Sequence, residues 1–520
     1  MNKLDRLIPI IKSNLRQFDK PGVLYVRPGY RMPKGWPTSE EAIVAVTSAK
    51  AKKVKLPSEI NGIPVEIRVA SDIEQFSHDH FDSFSKITDR RPELKGGSLA
   101  EFSPSTAKVR PTISAAVSAA RQTKPEIAYT PASVPLTPVQ GQIPIICNVS
   151  PDAGWTVLQE FISATRSRLK VSMYDFTSAH VLSLFEGSLR GRNVQITLDD
   201  PPRNPTADQS DPQTIQDLHT ALGENFLSAW ALVRSSPEAD TWIYPTAYHI
   251  KVMVRDSDTV WISSGNLNNS NQPVIGLIGS SNPADQATAK SSDRDWHVVI
   301  ESAGLAATFE AYLDHDFQAA TLHASAGTSA QGTPRISQAS SFVTAREETI
   351  GAFNFVAPKT INNEIMTITP LLTPDPGVYQ GKMLELINAI EDSLYIQLQY
   401  IHPSPDQSAS KFADLIDAVA AKISAGKDVK IIVSEYQKLG GGLEALQAAG
   451  INLSHVRVQN NVHNKGFIFD HKVVVVSSMN WSAEGVLSNR DAGVIIDNAS
   501  AAMYYEGVFL DDWNNHSTGG

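Results

Sequence analysis

One pattern written twice constrains this chain more than any other feature. His249-Ile-Lys251-Val-Met-Val-Arg-Asp256 and His463-Asn-Lys465-Gly-Phe-Ile-Phe-Asp470 both read His, one residue, Lys, four residues, Asp. A motif repeated in this way implies a repeated fold whose two units bring their copies to one place. Each copy runs into an apolar, β-branched stretch and then a small polar turn, Ser263-Ser264-Gly265-Asn266 and Ser477-Ser478-Met479-Asn480. The Asn stands 17 residues after its His in both (266 − 249 and 480 − 463). Asp293-Arg294-Asp295 and Asn489-Arg490-Asp491 follow, each leading into a further apolar run. Three ordered elements recur in register, and a paired catalytic site is the natural reading.

The flanking segments repeat as well. Trp155–Ile162 has helical apolar spacing and leads into a strand at Leu169–Tyr174; Met383–Ile390 leads likewise into Leu394–Gln399. Each pair is followed by a second helix-like segment (Ala179–Leu189, Lys411–Ser424) and a second strand (Asn193–Leu198, Asp428–Val433). Alternating helices and strands predict an α/β sandwich in each half, the first over residues 148–322 and the second over 351–520, with a Ser/Ala/Gly/Thr-rich connector at 323–350. The halves differ in one length. Asp295 lies 46 residues past its His (295 − 249) and Asp491 lies 28 past its own (491 − 463). The excess falls in Asn271–Lys290, a loop expected to shape substrate access.

The side chains suit phosphodiester chemistry. In a strand, residues two apart share a face, so each His and its Lys can address one phosphate. Lys251, Lys465, Asn266 and Asn480 can surround the nonbridging oxygens and stabilise the charge of a trigonal-bipyramidal transition state. One imidazole can attack phosphorus while the other protonates the leaving oxygen and then activates water. The lysines supply the positive charge that a metal would otherwise provide, so neither a metal nor a cofactor is expected.

The two motifs with their Ser-x-Asn turns resemble those of the phospholipase D superfamily, which carries H-x-K-x4-D twice, each followed after six residues by Gly-Ser-x-Asn. Ser263 and Ser477 stand where that family usually has Gly, while Ser264 and Ser478 keep its Ser. The resemblance covers about residues 150–515. It implies two such halves joined as a pseudo-dimer, a covalent phosphohistidine intermediate with His249 as nucleophile and His463 as acid, and Asp295 and Asp491 as the acids that orient the rings. It gives Asp256 and Asp470, at strand ends, a structural part. The preferred substrate is a phospholipid, hydrolysed or transferred to an alcohol; Pro273–Ile278 is a candidate membrane-facing loop. A nuclease acting on DNA or RNA is the alternative, and an inactive scaffold is the third reading, opposed by intact His, Lys and Asn in both copies.

The front of the chain lies outside the resemblance. Short β-like runs at Gly22–Arg27, Glu41–Thr47 and Ile63–Val69 predict a small β-containing accessory domain over 1–94, followed by a Ser/Pro/Ala-rich linker over 95–147. Residues 1–125 hold 21 Lys+Arg against 13 Asp+Glu although the whole chain carries −10, which admits contact with an anionic surface or a solvated face alone. The one cysteine, Cys147, excludes an internal disulfide. With neither a signal-like start nor a span of about 18 apolar residues, a cytoplasmic location is expected. His78-Asp79-His80 with Asp82 reads as a solvated loop in preference to a metal site, Gly440-Gly441-Gly442 as a flexible turn near the site entrance, and Trp481 as either a pocket floor or core.

Overall fold

The Val/Ile-rich runs around the two motifs form the centres of two mixed sheets. The structure, a computed structural model, describes residues 3–519 other than 50, 52–53, 82–83, 85–87, 89–90, 98, 105–108, 111–130, 133, 200–206, 237–238, 243–246, 277–281, 325–347 and 404–409. In an eight-stranded sheet Val252–Arg255 lies between Arg168–Met173 and Thr259–Ser263. In a nine-stranded sheet Lys465–Phe469 lies between Ser393–Leu398 and Val473–Ser477. Arg168–Met173, Asn193–Leu198 and Phe226–Trp230 run parallel, because the helices Ala179–Ser188 and Asp211–Leu222 carry the chain back between them. The motif strand joins antiparallel to this set in both halves.

These strands are apolar on both faces, as sheets covered on both sides must be. Helices close the outer face of each: Gly154–Ser163, Ala179–Ser188 and Asp211–Leu222 on the first sheet, and Tyr379–Ala389 with Ser410–Ser424 on the second. The inner faces share one buried core, in which Val252, Val254, Val260 and Val298 meet Val474, Val476, Val494 and Ile496 alongside the helices Ala303–Ala324 and Ala499–Asp511. The halves also exchange edge strands. Lys359–Ile361 pairs with Ile145–Ser150 in the first sheet, and Val139–Gln142 pairs with Ile365–Thr373 in the second. A segment whose composition reads as linker is thus tied into the far half.

The front section forms a six-stranded sheet around Val23–Tyr30, Glu41–Thr47 and Ile63–Val69. It packs on the second half. Arg27 and Glu444, both almost wholly buried, meet at 2.7 Å, and Ala445 and Ala448 enter the front core. The three glycines at 440–442 differ from the flexible turn expected of them: they form the seam. The Gly97 amide donates to the Leu439 carbonyl at 3.1 Å, and a Cβ on Gly97 would stand 2.6 Å from the Gly440 carbonyl oxygen. Side chains at these positions would hold the surfaces apart. Several front cations are paired with acids, Arg31, Arg68 and Arg91 within the section and Arg27 and Lys95 across the seam. Among the described residues no helix is long and apolar enough to cross a membrane.

The additional loop of the first half contains the helix Pro283–Lys290, capped by Asn282, and its Ile275 and Ala289 pack against Phe353. Val274 is 52% exposed, whereas Leu277 and Ile278 of the expected membrane-facing run lie outside the described residues, as do Asp82, about half of the linker and most of the connector.

Candidate active site

The two motifs meet at the seam between the halves, and the pairing is crossed. His249 Nδ1 lies 2.8 Å from Asp491 Oδ1, and His463 Nδ1 lies 3.0 Å from Asp295 Oδ1. Each ring is therefore oriented by the other half's acid. Backbone bonds enforce this exchange: the His249 amide donates to the Arg490 carbonyl (2.8 Å) and the Arg490 amide to that of Ala247 (2.9 Å). His463 and Arg294 are joined in the same way, at 3.1 Å to Arg294 O and 2.8 Å from the Arg294 amide to Asn461 O. The arginine between the paired polar residues acts as a pin. The Arg294 guanidinium is buried between Asp152 (2.5 Å) and Asp512 (2.8 Å), and that of Arg490 between Asp375 (2.6 Å) and Asp316 (2.8 Å).

With Nδ1 occupied by a carboxylate, Nε2 of each ring is the atom left for chemistry. The strand expected to carry each His-x-Lys begins later, at Val252 in the first half and at Lys465 in the second, so both histidines lie just ahead of it; the two lysines are fully buried. Lys251 Nζ donates to the His249 carbonyl at 2.5 Å, and Lys465 Nζ donates to that of His463. Two further residues hold the ammonium groups. The Tyr174 ring lies 5.0 Å from Lys251 Nζ and 4.9 Å from the His249 ring, while Gln399 Oε1 accepts from Lys465 Nζ at 3.4 Å. Sequence reasoning named both only as strand ends. Strand register was the missing signal, since Val252 pairs with Ser172 and Gly466 with Gln397, which puts Tyr174 and Gln399 at equivalent positions.

The polar turns hold the acids. Ser264 Oγ donates to Asp295 Oδ1 at 2.7 Å and Ser478 Oγ to Asp491 Oδ1 at 2.6 Å, each hydroxyl in turn accepting the next backbone amide of the acid's strand, from Trp296 and Ala492. Ser263, where the resembling family has glycine, donates to Gly265 O and meets His297 Nδ1 at 2.7 Å; Ser477 donates to Lys465 O at 2.8 Å. Both hydroxyls brace the turn from inside. Asn266 and Asn480 are buried, and their amide oxygens have no hydrogen-bond partner among the described residues. An orphaned acceptor of this kind fits a ligand that brings a donor, such as a hydroxyl.

Burial and crowded cations set the protonation of the site. His249 is held well below the usual imidazole range, first by burial and then by Lys251, Lys465 and His463. Burial and Lys465 also lower His463, but Asp295 opposes them. Lys251 falls well below an ordinary ammonium, and burial brings Lys465 down to about 8. The two acids diverge. Burial alone would raise both, yet His463 and Lys465 carry Asp295 below the carboxylate range, whereas Asp491 is pushed up to about 8 despite Lys251 and Ser478.

Asp256 and Asp470 stand apart from this cluster. Both adopt left-handed backbone (φ 51° and 47°), and they accept the amides of Arg166, Ser167 and Arg168 and of Glu391, Asp392 and Ser393. They fasten the end of the motif strand to the start of its neighbour. Trp481 packs in the second core with Nε1 3.3 Å from the Tyr379 hydroxyl. Among the described residues no group of three His, Cys, Asp or Glu is placed to hold a metal; His78 pairs with Asp79 on the helix Asp72–Asp79.

Comparison with known proteins brings the same two regions forward. The family model described as "Cardiolipin synthase, PLD-like domain" matches residues 158–317 and 383–513. The mitochondrial cardiolipin hydrolase of Mus musculus is 29% identical over 90 residues, 17% of this chain and 39% of that protein. That of Xenopus tropicalis is 27% identical over 104 residues, 20% of this chain and 50% of that protein. The chain thus spans half or less of the length of these curated relatives. Among solved structures, the phosphatidylserine synthase of Haemophilus influenzae Rd KW20 aligns with a TM-score of 0.45 at 14% identity, covering 75% of this chain and 90% of that one. Nuc from Salmonella typhimurium, a phospholipase D family member, aligns with a TM-score of 0.25 at 22% identity, covering 30% and 99%.

Proposed function

We infer, from the fact that the chain belongs to the phospholipase D superfamily, that it breaks a phosphodiester bond at its paired histidines and passes the phosphoryl group to water or an alcohol. The observation that carries this reading is the crossed pairing, His249 with Asp491 and His463 with Asp295, which leaves two Nε2 atoms beside two buried lysines. Neutral His249 attacks phosphorus through Nε2. The P–N bond forms as the P–O bond to the leaving group breaks, and His463 Nε2 delivers a proton to the departing oxygen. His463 then takes a proton from the incoming water or alcohol, whose oxygen displaces Nε2 of His249 and frees the ring. Lys251, Lys465, Asn266 and Asn480 hold the nonbridging oxygens throughout, donating where negative charge builds up. Burial and the neighbouring cations favour an uncharged His249, and Asp295 favours a proton on His463, which supports this division of roles.

The substrate is a phospholipid. The matching family model and the curated relatives are named for cardiolipin, and Val274 offers an exposed apolar side chain on the additional loop of the first half. A nuclease is the second reading, favoured by the front section, where 21 Lys+Arg stand against 13 Asp+Glu in residues 1–125. Turnover of fluorescent phospholipid vesicles and of single-stranded DNA, measured side by side with His249→Ala and His463→Ala as controls, separates the two. The expected result is lipid turnover lost in both variants. DNA cleavage lost in both would establish the nuclease, and no turnover of either would favour a scaffold.

A further inference from the structure

The two halves share their His, Lys, Ser, Asn and orienting Asp, but the surroundings of the two acids differ. In the first half Asn271 reaches into the site: its Nδ2 donates to Asp295 Oδ2 at 2.7 Å and to Asp293 Oδ2 at 2.9 Å, and its Oδ1 accepts the backbone amide of Asn266 at 3.0 Å. One side chain thus joins the acid that orients His463 to the turn that carries a phosphate-facing amide. Gly265 makes room for it, since a Cβ there would lie 2.7 Å from Asp295 Oδ2 and 3.0 Å from Asn271 Cβ. The second half makes a different contact, a side-chain bond between Asn489 and Asp491. Its turn carries Met479 where the first has Gly265, and the residue five beyond its Asn is Gly485, where a Cβ would meet the Asn480 carbonyl oxygen at 2.2 Å. No side chain fits there.

From this geometry we propose that Asn271 is a positioning residue. It clamps the Asp295 carboxylate and the Asn266 backbone together, which sets the His463 pair apart from the His249 pair and reserves His463 for proton delivery. Asp295 then has three side-chain donors, from His463, Ser264 and Asn271, and all of them act on a carboxylate that is wholly buried. The other charged or titratable groups facing this pair are Lys465, His297, Asp293 and Asp175, with His249 across the site. Of these only Asp293 also loses a donor with Asn271, and that change acts on His463 in the same direction as the one at Asp295. The part played by His463 at the leaving oxygen rests on the phosphodiester reading above, whereas the clamp itself does not.

The test uses the full chain with Asn271→Leu, which keeps the side chain's bulk, and Asn271→Asp, which keeps its shape and adds charge. Histidine ring signals are followed by NMR across pH, with His463 identified by its loss in His463→Gln. A carboxylate relieved of a donor draws a neighbouring proton more strongly, so Asn271→Leu is expected to raise the proton affinity of His463 about threefold. Asn271→Asp is expected to raise it about tenfold or more, with less than half that change at His249. An unchanged His463 in either folded variant, or an equal change at both rings, overturns the proposal. A wild-type protein that fails to turn over bis(p-nitrophenyl) phosphate would refute the phosphodiester reading alone, because the ring titrations need no turnover.

Discussion

Lys465 is a buried cation that the fold keeps at a cost, and Lys465→Met should expose that cost. Burial lowers its ammonium from 10.5 to about 8, against the attraction of Asp295, Asp491, Asp293 and Glu93. Each tenfold change in proton affinity is worth about 1.4 kcal/mol, so the charge destabilises the folded protein by about 3 kcal/mol at pH 7. Methionine fills similar space without charge, and it forfeits the bonds to the His463 carbonyl and to Gln399 Oε1, together worth about 1–2 kcal/mol. The net expectation is a gain of about 1–2 kcal/mol, a rise of a few degrees in melting temperature, together with a loss of turnover of about 10²–10³ because the phosphate clamp is missing a donor. The pH dependence fixes the cause. The unfolded chain binds more protons than the folded one between pH 8 and 10.5, so the wild-type penalty is complete below pH 8 and fades as pH rises through that window. Melting curves of both proteins from pH 6 to 10 would show the variant ahead at pH 7 and its lead shrinking above pH 8. A variant that melts lower at pH 7, or a gap that does not change with pH, would mean that the buried charge of Lys465 is not what costs stability.

Other perturbations separate structure from chemistry. Arg490→Met leaves Asp316 and Asp375 buried without their cation and should cost about 3–5 kcal/mol in urea unfolding. Arg166→Met, at a side chain 71% exposed, should leave the urea midpoint close to that of the wild type. Asp256→Asn and Asp470→Asn weaken three charge-assisted amide bonds each, so both should lose about 1–3 kcal/mol while keeping kcat in the folded fraction. Because both carboxyls are held below their ordinary range, the stability they add is present above about pH 4 and is lost as pH falls; acid-unfolding curves of the two variants should accordingly converge on wild type at low pH. His463 gives up its proton below the usual imidazole value, so kcat/KM should decline as pH rises through the weakly acid range. That limb should vanish in His463→Ala assayed with a p-nitrophenyl ester, whose leaving group needs no proton.

The features most legible in the sequence are those that periodicity and repetition encode. Glu41–Thr47 and Ile63–Val69 read as strands and are strands with those bounds, and the run Leu169–Tyr174 becomes Arg168–Met173. His249 and His463, each with its lysine, meet Asp491 and Asp295 at the seam between the halves, and the two asparagines lie on the turns whose serines hold those acids. Spacing along one chain could not say which acid meets which ring, because the answer lies in a bridge between segments far apart in sequence, Tyr248 with Arg490 and Arg294 with Val462. Val139–Gln142 escaped notice because a four-residue edge strand containing Gly141 has almost no local signature. Gly440–Gly442 gave the wrong impression for a related reason: glycine serves equally for mobility and for close approach, and only the facing Gly97 and Arg27 decide between them. Asn271 was visible only as part of an extra length, and its role depends on the absence of a side chain at Gly265.

The proposed reaction turns on a covalent bond between phosphorus and His249, resolved by His463. It is tested most directly by rapid alkaline quenching of the protein with a p-nitrophenyl phosphodiester, followed by peptide mass spectrometry. The expected result is a phosphoryl adduct on the His249 peptide that accumulates in His463→Ala, where release of the adduct is slow, and is missing in His249→Ala. An adduct on the His463 peptide, or none in His463→Ala despite release of p-nitrophenol, would contradict it.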